Sequence, residues 1–244
     1  MIGEITKGEM NTINTIDICS IPKMIDISCV KADITIAELA SMVELAKKYG
    51  FICCFAMPCY TEWLIDKLAG CPEIMVGGAV GFPSGADLAE TKAHTAKTLA
   101  GMGCSEIDMV INYSALRSRD YGLVLDDIKG VRESVGGIPL KVILEVAYLT
   151  DDDIRHGCEL AVRAGADYIK TGTGWAQKPT TIRHVKLIKS IVGDSAKIKA
   201  AGGIKTLAAI IEMAEEGCAR FGVGVASAQS IMDEAAGTRN RAAS

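Results

Sequence analysis

The feature that most constrains this chain is a repeat. A short run rich in β-branched residues, a turn and a stretch of helical period recur eight times along 244 residues. The strand candidates are residues 23–27, 51–55, 74–80, 106–111, 141–146, 168–170, 197–200 and 220–223. They lie roughly 25–35 residues apart, the length of a strand, its crossover helix and their turns. The stretches between them carry helix signals. Over 35–49, Ile36, Leu39, Ala40, Val43 and Ala46 keep near-helical spacing, and Gly50 stops the run. Thr150 followed by Asp151, Asp152 and Asp153 is a helix start, a capping hydroxyl with acids at the positive helix end. Gly165 closes that helix, and 87–101 and 206–217 are two more.

Strands joined through helices run parallel, and eight parallel strands close into a barrel. The expectation is an α/β chain, a single-domain (β/α)8 TIM barrel over 21–244, behind a leader at 1–20 that forms a short helix or cap. The alternative is an open doubly wound sheet. It would call for a G-x-G-x-x-G after the first strand or a phosphate-binding P-loop, and neither occurs. A chain that is 49% hydrophobic with 25 glycines suits one packed core with many tight turns.

Charge and cysteine usage remove several function classes. A net charge of −4 without a basic cluster argues against a nucleic-acid partner. No apolar run reaches 18 residues and 1–14 has no hydrophobic signal core, so no membrane partner is expected and the expected location is cytoplasmic. The nine cysteines include no C-x-x-C pair, hence neither a zinc knuckle nor a thioredoxin-type motif; no metal or other cofactor is expected. His94, His156 and His184 fall on helical stretches and read as surface or packing residues.

Strand side chains alternate, and the alternation says what faces inward. In the fourth strand Ile107, Met109 and Ile111 face the helices, which turns Asp108, Val110 and Asn112 toward the axis. The same reasoning turns Lys141, Ile143 and Glu145, then Lys170, then Lys197 and Lys199 inward. A barrel interior holding Asp108, Lys141, Glu145, Lys170 and Lys199 is unusual, because buried charges must be paired or near water. A lone lysine ending a strand could be a structural ion-pair partner. Five charges on one alternation point to catalysis instead, with Lys170 and Lys199 at the C-terminal strand ends where barrel enzymes place their chemistry. Desolvation and a neighbouring cation lower an amine's pKa. The free amine of Lys170 can then attack a carbonyl and form a Schiff base, with Asp108 as a proton relay.

Five stretches carry a family resemblance: Val80-Gly81-Phe82-Pro83 with Gly85; Glu106-Ile107-Asp108-Met109-Val110-Ile111-Asn112; Lys141-Val142-Ile143-Leu144-Glu145; Ala164-Gly165-Ala166-Asp167-Tyr168-Ile169-Lys170-Thr171; and Lys199-Ala200-Ala201-Gly202-Gly203-Ile204. From Pro22 to the last strand the chain resembles the deoxyribose-phosphate aldolases, class I aldolases on the (β/α)8 fold. The resemblance implies reversible cleavage of 2-deoxy-D-ribose 5-phosphate to acetaldehyde and D-glyceraldehyde 3-phosphate. It makes Lys170 the Schiff-base lysine, Asp108 the relay acid and Lys199 the lysine that tunes it. It implies a small-molecule sugar phosphate as partner. Related aldolases are often dimers, so a homodimer is admitted, although no stretch marks an interface. Substrate contacts are expected from Thr173, Lys141 and Glu145 and from the backbone of Gly174, Gly202, Gly203 and Gly224.

The departures fall at the substrate's phosphate end. Gly172 and Ala201 stand where the family usually has serines, and Trp175 stands for a phenylalanine or lysine. Gly224 and Val225 align with the serine pair that the family presents to phosphate, and Phe55 with the second-strand cysteine of some members. Two readings result. One is a deoxyribose-phosphate aldolase that grips phosphate through glycine amides. The other is a paralogous Schiff-base aldolase whose substrate is non-phosphorylated or differently substituted. From other classes stand a non-catalytic barrel, and a phosphate-binding isomerase or lyase. The last would use a Glu or His base, yet no histidine falls at a strand end.

Overall fold

Side chains that stand in for missing backbone partners set where several of the helices begin. Thr35 with Glu38, and Thr150 with Asp153, form full capping boxes ahead of two of the crossover helices. The structure, a computed structural model, describes residues 16–242. Its eight parallel strands are β1 (Ile25–Cys29), β2 (Cys53–Ala56), β3 (Met75–Val80), β4 (Glu106–Val110), β5 (Leu140–Ile143), β6 (Tyr168–Lys170), β7 (Lys197–Ala201) and β8 (Cys218–Gly224). Each pairs with the next, and β1 pairs with β8, so the sheet closes into the expected (β/α)8 barrel.

The outer layer is α1 (Ile36–Tyr49), α2 (Thr61–Leu68), α3 (Ala89–Met102), the short α4 (Tyr113–Arg117), α5 (Tyr121–Val135), α6 (Asp151–Arg163), α7 (Ile182–Val192), α8 (Leu207–Glu215) and α9 (Val225–Ala242). The main core lies between this layer and the sheet, where outward residues such as Ile107, Met109 and Val142 meet Leu99, Ile128 and Val131 of the helices. No helix among the described residues is long and apolar enough to cross a membrane.

Three local expectations shift. Of the leader at 1–20, residues 1–15 lie outside the described residues. Ile18–Met24 is a 3-10 turn capped by Asp17, with Ile21 buried beneath it. This turn contains Pro22, which has no N–H for a ladder, so β1 starts two residues later than its sequence pattern predicts. Second, β5 ends at Ile143 rather than 146. Glu145 adopts φ 59° and ψ 61°, a left-handed conformation uncommon for a residue other than glycine, and leaves the strand alternation. Third, Lys197 is not buried with the other inward charges. It begins β7, is exposed, and lies over the Tyr168 ring at 5.6 Å.

Candidate active site

Each strand that turns a charge inward contributes to one network. β1 supplies Asp26, β4 Glu106 and Asp108, β5 Lys141, β6 Lys170, β7 Lys199 and β8 Arg220, all buried. Register makes neighbours of them: Asp108 pairs with Lys141, and Lys170 with Lys199. Lys170 Nζ and Lys199 Nζ each lie 2.7 Å from the same oxygen, Asp108 Oδ2. Lys141 Nζ approaches the other oxygen at 3.4 Å, lies 3.2 Å from Asp26 Oδ2, and pairs with Glu106. Lys199 also reaches Asp26 Oδ2 at 2.5 Å. Below them Arg220 bridges Asp26, with Nε at 2.8 Å, and Glu106.

This connected network holds three carboxylates and four cations. One positive charge is in excess, and the pKa directions say where it yields. Burial pushes the Lys170 amine down to about 8; Asp108 opposes this and the Lys199 charge reinforces it. Burial alone would raise the Asp108 carboxyl, but Lys141, Lys170 and Lys199 outweigh it and hold the group well below the usual carboxylate range. Lys141 is held high, because Asp108, Asp26 and Glu106 more than offset its burial. The network is electrically balanced when Lys170 gives up its proton. Phe55 of β2 roofs the amines, its ring centroid 4.3 Å from Lys199 Nζ and 5.7 Å from Lys170 Nζ. Gly77 makes room for that ring, since a Cβ there would stand 2.1 Å from Phe55 Cζ.

A cavity of about 550 Å³ opens over this cluster at the C-terminal end of the barrel, a volume in the usual range for a small-molecule site. Asp108, Lys170 and Lys199 line it, together with Thr173, Gly174, Gly202, Gly203 and Gly224. The structure thus brings eight of the ten sequence-predicted residues to one cavity. Lys141 and Glu145 do not line it. Lys141 is sealed beneath the cavity by its three carboxylates. Glu145, turned by its left-handed backbone, accepts the Thr173 N–H at 3.1 Å and its hydroxyl, so it shapes the loop after Lys170. Gly172 fits this clamp, because a Cβ there would lie 2.8 Å from Glu145 Oε1.

Sequence reasoning missed Asp26, Glu106 and Arg220, although all three obey the alternation that exposed the others. It also missed Lys205 and Ser227, loop and helix residues that line the cavity without a strand periodicity to mark them. Asp26, Cys53 and Glu106 present ligand atoms within 4.8 Å of one another, a spacing that suits a metal ion. Their carboxylates are already engaged by Lys141 and Arg220, so cations of the protein occupy that role.

Fold and site together define a barrel enzyme of the aldolase class: a closed parallel barrel whose lysines and shared carboxylate meet under one open cavity. The profile of the DeoC/LacD aldolase family matches residues 24–232. The chain is 41% identical to the deoxyribose-phosphate aldolase of Sinorhizobium medicae over 87% of its length and 86% of that protein's. It is 36% identical to that of Klebsiella pneumoniae, covering 93% of this chain and 92% of the other. Among solved structures, the tetrameric deoxyribose phosphate aldolase of Aeropyrum pernix superposes with TM-score 0.77 at 25% identity, covering 89% of this chain and 92% of that one. The chain belongs to the DeoC/LacD family of aldolases.

Proposed function

We propose that the chain cleaves 2-deoxy-D-ribose 5-phosphate to acetaldehyde and D-glyceraldehyde 3-phosphate, with Lys170 as the nucleophile. One observation carries the assignment of that residue. Of the three clustered lysines, only Lys170 extends appreciably into the cavity, with 11% of its side chain exposed against 1% for Lys199 and 0% for Lys141. It is also the amine that burial lowers from 10.5 to about 8. At neutral pH this raises the free-amine fraction by about two orders of magnitude over an ordinary lysine.

The chemistry follows from the geometry. The Lys170 amine attacks C1 of the open-chain aldehyde, and the carbinolamine loses water to give a protonated Schiff base. A base takes the C3 hydroxyl proton, the C2–C3 bond breaks, and its electrons move into the iminium to leave an enamine. Protonation at C2 and return of the water release acetaldehyde and free Lys170. Asp108, ionised and bonded to both amines, accepts protons, and the Lys199 ammonium on the same oxygen returns them. Its negative charge also stabilises the iminium.

At the phosphate end the two serines are absent, but other anion donors line the cavity. Gly202 and Gly203 adopt left-handed backbone, α9 begins directly after Gly224, and Ser227 and Lys205 line the same space. A helix N-terminus with a nearby cation suits a phosphate. Lys205 forms no ion pair among the described residues, so its charge is available. Lys205→Ala is therefore expected to raise KM for the phosphate ester by about tenfold or more and to leave unphosphorylated 2-deoxyribose unaffected. The deciding assay is cleavage of 2-deoxyribose 5-phosphate beside 2-deoxyribose. Equal turnover of the two would favour the paralogue that ignores phosphate.

Lys199→Leu removes the like charge that acts most strongly on Lys170, so the amine pKa should rise and the pH profile of kcat/KM should move to higher pH. An unmoved profile would show that Lys199 does not tune the amine. The tetrameric neighbour supports self-association without favouring the homodimer over a larger assembly. The composition supports a cytoplasmic site of action.

A further inference from the structure

The ion pair Lys92–Asp127 joins α3 to α5 outside the barrel wall, and none of the chemistry above uses it. We propose that this pair positions the Phe82 wall of the substrate cavity, an inference that rests on the aldolase reading of that cavity. The two side chains are 0% and 2% exposed, with Nζ 2.6 Å from Asp127 Oδ2. Stability alone is a poor account of such a pair, because apolar replacements of buried ion pairs are often as stable.

Its contacts lead to the cavity. Lys92 donates a second hydrogen bond to the Val110 carbonyl at 2.9 Å. β3 ends at Val80, opposite Met109, so one residue further along β4 Lys92 stands where β3 no longer does. The chain leaves β3 through Gly81, at φ +63°, and lies directly on the Lys92 stem; a Cβ on Gly81 would stand 2.8 Å from Lys92 Cε. The loop closes with the Gly85 N–H on the Gly81 carbonyl at 2.7 Å. Gly85 presses on the backbone after β4, where a Cβ would lie 1.8 Å from the Ile111 oxygen. Phe82 is held in this loop and lines the cavity. It meets Trp175 edge-on at 5.9 Å, and the Trp175 indole N–H donates to the Val30 carbonyl at 2.8 Å. Asp127 fixes the base of this chain of contacts through its bond to the Lys92 amine. Asp87 is the other charge that acts on the pair.

The test is a double-mutant cycle on KM. Lys92→Met keeps the stem and removes the ammonium. It should raise KM for 2-deoxyribose 5-phosphate by about tenfold with kcat held within about twofold. Borohydride capture of acetaldehyde on Lys170, which reads the amine alone, should stay at the wild-type rate. Phe82→Ala should raise KM similarly, and the double variant should be no worse than the worse single one, because both remove the same wall. Additive effects, an unchanged KM, or a joint fall in kcat and capture would overturn the proposal. Should Lys92→Met not fold, Asp127→Asn enters the same cycle with the same expected coupling. Wild-type protein assayed alongside separates the two ideas. An inactive, uncaptured wild type sinks the aldolase reading, whereas an active one with additive variants sinks only the positioning role.

Discussion

Lys170→Met is expected to abolish carbon–carbon cleavage while folding at least as well as the parent chain. Methionine nearly matches the lysine stem in volume and removes the one cation in excess, leaving three carboxylates opposite three cations. No other amine of the cluster extends as far into the cavity, so no substitute nucleophile is at hand. Loss should be total within the limits of an assay on 2-deoxyribose 5-phosphate, with the melting temperature unchanged or raised. Retained cleavage at even a hundredth of the parent rate would assign the nucleophile elsewhere. A pH scan of stability adds an independent check. The Lys170 amine titrates near 10.5 in the unfolded chain and at about 8 in the folded one. Between these values the unfolded chain binds more protons, so the parent protein gains stability as pH rises through this window. The methionine variant should lack that gain.

Asp108→Asn should be nearly as damaging to activity and far more damaging to stability. The carboxylate holds Lys170 and Lys199 on one oxygen and faces Lys141 with the other. Its removal leaves two carboxylates opposite four buried cations. Breaking a buried pair by removing one partner costs about 3–5 kcal/mol, measurable by chemical denaturation. Losing the proton relay should lower kcat by about 10²- to 10⁴-fold. Because the parent's Asp108 carboxyl is held low by its three lysines against the opposing effect of burial, its contribution to stability is complete above 3.8 and fades as pH falls below that value. The asparagine variant should be weaker at neutral pH and should change less on acidification. A variant as stable as the parent at pH 7 would mean that the lysines are neutral or find other partners.

Much of this was legible in the chain. The recurrence of strand and helix patterns named the barrel, and the two-residue alternation named Asp108, Lys170 and Lys199 as inward residues. The same alternation, carried to Asp26, Glu106 and Arg220, would have found the rest of the network, since each stands two residues from an inward position on its strand. Glu145 shows where the method ends. Its inward assignment assumed a continuing strand, but its backbone turns left-handed beside Thr173, a partner 28 residues away. In the sequence Phe55 stands out only by its alignment with a second-strand cysteine of the family, and only barrel closure lays its ring over three lysines.

The sequence by itself determined the architecture and the direction of most side chains, because strand alternation and helix capping are local properties of a few adjacent residues. The sequence pointed to Lys170, but only the tertiary structure makes it the reachable, weakly basic lysine of the three. Asp108 is 62 residues from Lys170 and 91 from Lys199, yet one of its oxygens receives both amines. Desolvation and Coulomb interaction depend on distance and burial in the closed barrel. Neither quantity exists until the eight strands have met.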